Sequence, residues 1–204
     1  CDIRKDTLNI DENKIEELIT EKTKAIIPIH YAGIPAEMSR INSIGKKYGI
    51  SVIEDAAQAV NSKYKGKYAG SLSDVGSFSF HHTKSYSSGE GGALTLNCDK
   101  FYERAEYLWE KGTDRSLVIK GLQNKYSWVD FGSSFLPSDL LASLLLGQLE
   151  NINLMQKIRK NVHDNYIKTF KYFKEYGLQM TYVPEHVDTN YHAFWLLFEK
   201  PEQR

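Results

Sequence analysis

Three short stretches of this sequence hold residue types that could do chemistry together. The first is Glu54-Asp55-Ala56-Ala57-Gln58. The second is Phe78-Ser79-Phe80-His81-His82-Thr83-Lys84. The third, close behind it, is Gly89-Glu90-Gly91-Gly92. A carboxylate ends one apolar run, a hydroxyl sits in the next, a lysine follows that run, and glycines close the set. A lysine at the mouth of an α/β site forms a Schiff base with a carbonyl when its surroundings favour the neutral amine. Glycines let a phosphate approach the backbone closely. A carboxylate is the partner that a cofactor's pyridine nitrogen needs. Each residue also has a plainer reading. An isolated Asp at a strand end is usually a cap, a lone Lys after a strand is a solvated charge, and Gly-Glu-Gly-Gly is a flexible turn. Their order and spacing, taken together, favour the chemical reading.

The flanking segments are the kind that would position such a site. Asp11 can cap a helix through Ile15, Leu18 and Ile19. Residues 25–29 read as a buried strand. Met38 to Tyr48 has apolar residues at helical spacing, and Gly49 can end that helix. Residues 50–53 form the next strand and lead straight into Glu54-Asp55. Residues 61–74 read as a loop or hairpin, 75–80 and 93–96 as strands, and 99–111 as a helix. Residues 112–135 look irregular. Ser138 or Asp139 caps a long helical stretch toward Tyr176, broken near Asn151–Asn153, and His192 to Phe198 reads as a strand. Strand–helix alternation implies an α/β fold with a parallel sheet, whose ligands bind beyond the carboxyl ends of the strands. Asp55 stands at one such end.

Bulk properties exclude several classes. Apolar residues make up 41% of the 204, enough for a sizeable core. No apolar run approaches the roughly 20 residues that span a bilayer. The 26 basic residues balance 26 acidic ones without clustering, so a nucleic-acid partner is not expected. Cys1 and Cys98 form no CxxC, which fits a reduced, cytoplasmic setting. His81 and His82 would point to opposite faces of a strand, so no metal site is expected from them. His30 and Tyr31 could line the site or simply pack. Trp109, Tyr126 and Trp128 could stack on a base or belong to a core or interface. Both ends read as cuts through a longer protein.

The chain resembles the DegT/DnrJ/EryC1/StrS family of sugar aminotransferases. The matching segments are Pro28-Ile29-His30-Tyr31-Ala32-Gly33, residues 54–58, Gly76 to Lys84, and residues 89–92. The resemblance implies the three-layer αβα large domain of the type I aspartate-aminotransferase fold, with a mostly parallel sheet. Residues 1–150 would be part of that domain, 151–190 a long linking helical region, and 191–204 the start of a small C-terminal domain. The implied cofactor is pyridoxal 5'-phosphate. Lys84 would carry it, Asp55 would pair with its ring nitrogen, Gln58 would lie against the ring, and Ser79 would bind the phosphate. The family's N-terminal phosphate turn and ring-stacking aromatic would precede Cys1. Leu136 stands where many relatives place an Asn that reaches the neighbouring subunit's phosphate, so that role is not carried over.

The resemblance further implies a homodimer that moves an amino group from L-glutamate to a nucleotide-linked 4-keto-6-deoxy sugar. Within the family it is nearest to members that convert dTDP-4-keto-6-deoxyglucose into dTDP-4-amino-4,6-dideoxygalactose. That nearness rests on Asn9-Ile10-Asp11-Glu12, Tyr64-Lys65-Gly66, Glu110-Lys111-Gly112-Thr113 with Arg115-Ser116, residues 130–134, and Ser138-Asp139-Leu140. Two alternatives share the fold. One is a sugar dehydratase that has a histidine in place of the lysine, which Lys84 disfavours. The other is a non-catalytic regulatory or binding protein, which the intact Asp55, Gln58, Ser79 and Lys84 set disfavours.

Overall fold

The computed structural model of the chain describes residues 1–200 and residue 202. Residues 201, 203 and 204, part of the expected 191–204 segment, lie outside the described residues. At the centre is a four-stranded sheet built from β1 (Ala25–Ile26), β2 (Ser51–Asp55), β5 (Val75–Ser79) and β6 (Gly92–Leu96), in that spatial order. β1, β2 and β5 run parallel, and β6 pairs antiparallel with β5. The carboxyl ends of β2 and β5 therefore lie side by side, with Asp55 opposite Ser77. An isolated parallel bridge between Ile29 and Asp55 continues the line of β1. This is the expected α/β architecture with a mostly parallel sheet. β1 itself is shorter than the 25–29 run, because Pro28 has no N–H to give a ladder.

The helix α1 (Met38–Tyr48) crosses from β1 to β2 and ends at Gly49 in the left-handed conformation, as its sequence requires. Its Met38, Ile41 and Ile44 pack with Ile26 and Val52 into the main core, joined by Ile15, Ile34, Tyr64 and Val187. Burial alternates along β2, with Val52 and Glu54 turned inward. Asp55 therefore faces the other side. A hairpin of β3 (Lys63–Tyr64) and β4 (Lys67–Tyr68) is extended by β8 (Val187–Asp188), which pairs with β3. The C-terminal segment thus returns to the core of the first half.

Several elements differ from their sequence reading. The Asp11-capped helix is only a single 3-10 turn, Glu16–Leu18, and the Asp11 carboxylate instead caps the backbone of Asn13. Residues 99–111 divide into a 3-10 turn and α2 (Tyr102–Trp109). The irregular stretch holds one short helix, α3 (Arg115–Ile119). Ser138 caps α4 (Asp139–Glu150), and the break falls at Asn151, before α5 (Ile152–Phe170). The strand expected over 192–198 shrinks to β9 (Leu196–Leu197), paired with β7 (Gln179–Met180). His192 lies outside it, because the segment before it is held in side-chain hydrogen bonds rather than a ladder. No described helix is long and apolar enough to cross a membrane.

Candidate functional site at the carboxyl end of the sheet

β5 ends at Ser79, and the chain then folds into a loop whose base is closed by backbone bonds. Phe80 N–H donates to Gly91 O at 2.8 Å, and Ser88 N–H donates to Phe80 O at 2.9 Å. Lys84 sits near the far end of this loop, in a turn where its N–H donates to His81 O at 2.9 Å. Gly92 opens β6 directly opposite Ser79. Lys84, Ser79 and the Gly89–Gly92 segment thus share one end of the sheet with Asp55. Among the described residues, no hydrogen bond or ion pair engages the Lys84 amine.

Asp55 uses one oxygen as a cap, with Ala57 N–H donating to Oδ1 at 3.0 Å. The plain reading and the chemical one therefore coexist, since Oδ2 remains open to another donor. Gln58 accepts from Ala32 N–H through Oε1 at 2.7 Å. Ser79 Oγ accepts from His81 N–H at 3.3 Å, which leaves its own O–H able to donate.

The fold brings here four residues to which the sequence reading gave no role. His192 Nδ1 lies 2.7 Å from Ser85 Oγ. Burial pushes the His192 imidazole down to about 4, and the nearby Lys84 and Arg159 charges push the same way. Arg159, from α5, donates to Ser85 O at 3.2 Å. Asn190 is fully buried and donates to the carbonyls of Gln58 and Val60, both at 2.9 Å. Glu54 is fully buried and accepts from the amides of Gly70, Leu72 and Ser73. Burial pushes the Glu54 carboxyl up, but hydrogen bonds from His30, Gly70 and Leu72 outweigh it and hold it below its ordinary value. Only Glu54 carried a sequence signal, as the charged neighbour of Asp55 in a buried strand. The others lie too far along the chain.

His81 and His82 correct an expectation. The strand ends before them, so their rings do not point apart but lie 3.9 Å from centroid to centroid. Glu90 joins them, and one ligand atom from each of the three falls within 4.8 Å of the others. His82 and Glu90 are exposed, and the His81 ring engages Thr83 Oγ1 at 2.9 Å. Exposed groups of this kind are common without an ion, and no metal is assigned. Nor do the three aromatics Trp109, Tyr126 and Trp128 sit in a core of this chain. Trp128 is 74% exposed and Trp109 and Tyr126 are also exposed.

Comparison with known proteins follows from this geometry. A profile of the DegT/DnrJ/EryC1/StrS aminotransferase family matches residues 1–204. An uncharacterized protein of Methanocaldococcus jannaschii is 38% identical over 200 residues, 96% of this chain and 51% of its own. The GDP-perosamine synthase of Caulobacter vibrioides is 33% identical over 190 residues, 93% of this chain and 48% of its own. Among solved structures, a putative sugar aminotransferase of Streptococcus pneumoniae in its PLP form superposes with a TM-score of 0.83 at 29% identity. That match covers 97% of this chain and 54% of the other. The chain spans about half the length of the curated relatives it matches.

Proposed function

The chain belongs to the DegT/DnrJ/EryC1/StrS aminotransferase family, and from that premise we propose that it forms the cofactor-binding part of a pyridoxal-phosphate-dependent sugar aminotransferase. The observation that carries the reading is the set of polar groups at one end of the sheet: a lysine amine with no partner among the described residues, a carboxylate with one open oxygen to accept, and a hydroxyl free to donate. This set matches the functional groups of pyridoxal phosphate, namely an aldehyde, a basic ring nitrogen and a phosphate. Lys84 would hold the aldehyde carbon, Asp55 the ring nitrogen, Gln58 the ring and Ser79 the phosphate. When bound, the cofactor supplies a carbon that amines attack and a ring that withdraws electron density from the bond being broken.

The chain's own residues do the rest. Lys84 would hold the cofactor's aldehyde carbon, and its free amine would serve as general base and then general acid for the proton at the amino donor's α carbon. Asp55, anchored by Ala57 N–H, would accept from the protonated ring nitrogen through its other oxygen. Ala32 N–H fixes the Gln58 amide in one orientation.

The finer reading is that L-glutamate is the donor and a nucleotide-linked 4-keto-6-deoxy sugar the acceptor. It takes dTDP-4-keto-6-deoxyglucose to dTDP-4-amino-4,6-dideoxygalactose, and rests on the motifs at residues 9–12, 64–66, 110–113 with 115–116, 130–134 and 138–140. Names of the matched proteins support the sugar: one is a GDP-perosamine synthase and another a putative sugar aminotransferase. A cytoplasmic homodimer, with residues 1–150 in the large domain, 151–190 as linking region and 191 onward opening the small one, completes the proposal. The test incubates the full-length protein with pyridoxal phosphate, L-glutamate and dTDP-4-keto-6-deoxyglucose. Release of 2-oxoglutarate with formation of the 4-amino sugar is expected. A protein that takes up the cofactor but dehydrates the sugar instead would overturn the reading in favour of the dehydratase.

A further inference from the structure

The turn that follows β1 touches two of the residues proposed above. His30 N–H donates to Asp55 O at 3.0 Å, and Ala32 N–H donates to Gln58 Oε1 at 2.7 Å. Ala32 is left-handed, with φ 56° and ψ 18°, a conformation that residues other than glycine rarely adopt. Strain of that kind persists only where the surroundings over-determine it. Here Asn9 clamps the turn from outside, accepting from Tyr31 N–H at 2.8 Å and donating to Ile34 O at 2.9 Å. Ser62 and Thr189 both donate to Gly33 O.

The innermost clamp is His30. Its side chain is fully buried, and so is that of Glu54. Ala36 N–H points at Nδ1 at 3.2 Å, so that nitrogen is a lone-pair acceptor. The single ring proton then lies on Nε2 and is donated to Glu54 Oε2 at 2.9 Å. Glu54 is immobilised in turn by Gly70, Leu72 and Ser73. The ring is therefore fixed in one tautomer and one orientation.

We infer that His30 is a positioning residue for the proposed site: its neutral ring, fixed between Glu54 and the Ala36 amide, locks the turn whose amides hold Asp55 and Gln58. It acts through the turn and touches no reacting atom. The inference rests on the function proposed above. Neither the packing of His30 nor the cofactor assignment by itself requires this coupling.

The experiment compares wild type, His30→Asn and His30→Gln in the full-length protein, with Ile44→Ala as control. Ile44 is a core residue of α1 that shares the apolar cluster of Ile34 but has no part in the turn's hydrogen bonds. Cofactor-free protein is titrated with pyridoxal phosphate, and amide exchange is followed over residues 30–36. His30→Asn is expected to weaken cofactor binding by roughly tenfold or more, as small misplacements of a site do. The Ala32 amide should lose protection. His30→Gln, whose amide can still donate to Glu54, should recover much of both. Ile44→Ala should lower the melting temperature without either change. Should His30→Asn fail to fold, nitrogen NMR of wild-type cofactor-free protein still decides. A His30 ring protonated only on Nε2 at neutral pH sustains the inference, and a doubly protonated or tautomer-averaged ring overturns it. Unchanged affinity in His30→Asn also overturns it. Failure of wild type to take up the cofactor at all would instead bring down the functional reading.

Discussion

Ser85 and His192 meet across 107 residues of chain, with Ser85 Oγ 2.7 Å from His192 Nδ1. The contact brings a titratable ring beside the loop that carries Lys84. That ring is largely buried, and both burial and the neighbouring cations Lys84 and Arg159 oppose its protonation.

The first prediction follows from that contact. A histidine at about 4 in the fold and near 6.5 when unfolded binds fewer protons folded than unfolded between those values. Its stabilising effect is thus fully present above about 6.5 and is lost as pH falls toward 4. Replacing His192 with Gln should make the fall in stability across that window shallower by about one proton, or ~1.4 kcal/mol per pH unit at most. Chemical denaturation of both proteins at several pH values checks this. Identical slopes would mean that His192 titrates as an exposed residue does.

Lys84→Ala should abolish both 2-oxoglutarate release and the yellow absorbance that borohydride bleaches. Lys63, Lys65 and Lys67 lie in the β3–β4 hairpin, which belongs to a different sheet from β5. Changing any of them should leave both signals near wild type. Wild-type turnover in Lys84→Ala would show that another amine carries the cofactor.

Asp55→Asn separates cap from charge. The amide oxygen can still accept from Ala57 N–H, so the fold should lose little stability. The open position loses its charge, and turnover should drop by about 100-fold or more. A thermal melt and a rate measurement on one preparation check both halves. A large loss of melting temperature with normal turnover would reduce Asp55 to a strand-end cap.

Gly33→Ala should be severely destabilising. Gly33 has φ +82°, and a Cβ there would sit 1.9 Å from Asn190 Oδ1. Asn190 is fully buried and tied to Gln58, Val60 and Ser62, so it cannot step aside. A loss of ~3 kcal/mol or more is expected from strain and the displaced hydrogen bonds. Urea unfolding of the variant measures it.

Phe131 is 92% exposed and Leu140 82% exposed. Large apolar side chains left this exposed are what the proposed homodimer would cover. Phe131→Ser combined with Leu140→Ser should lower the concentration-dependent association of the chain in sedimentation. Unchanged association would place the contact elsewhere.

What could be read from the sequence was local. Lys84, Ser79, Asp55 and Gln58 were nameable as candidates because each belongs to a short motif beside a strand, and the parallel direction of those strands puts them at one end of the sheet. The helix at 38–48 was legible from its apolar spacing and Gly49. The break at Asn151 was legible too. Where no local pattern forces the outcome, the tertiary structure decided. The 192–198 strand gave way because Asn190 and Ser62 bind that backbone first. His81 and His82 came together because β5 stops at Ser79, before either of them. His192, Arg159 and Asn190 reach the site from the far side of α5, or from α5 itself. Such contacts depend on how the chain closes long loops around a shared core, and no short-range pattern encodes that.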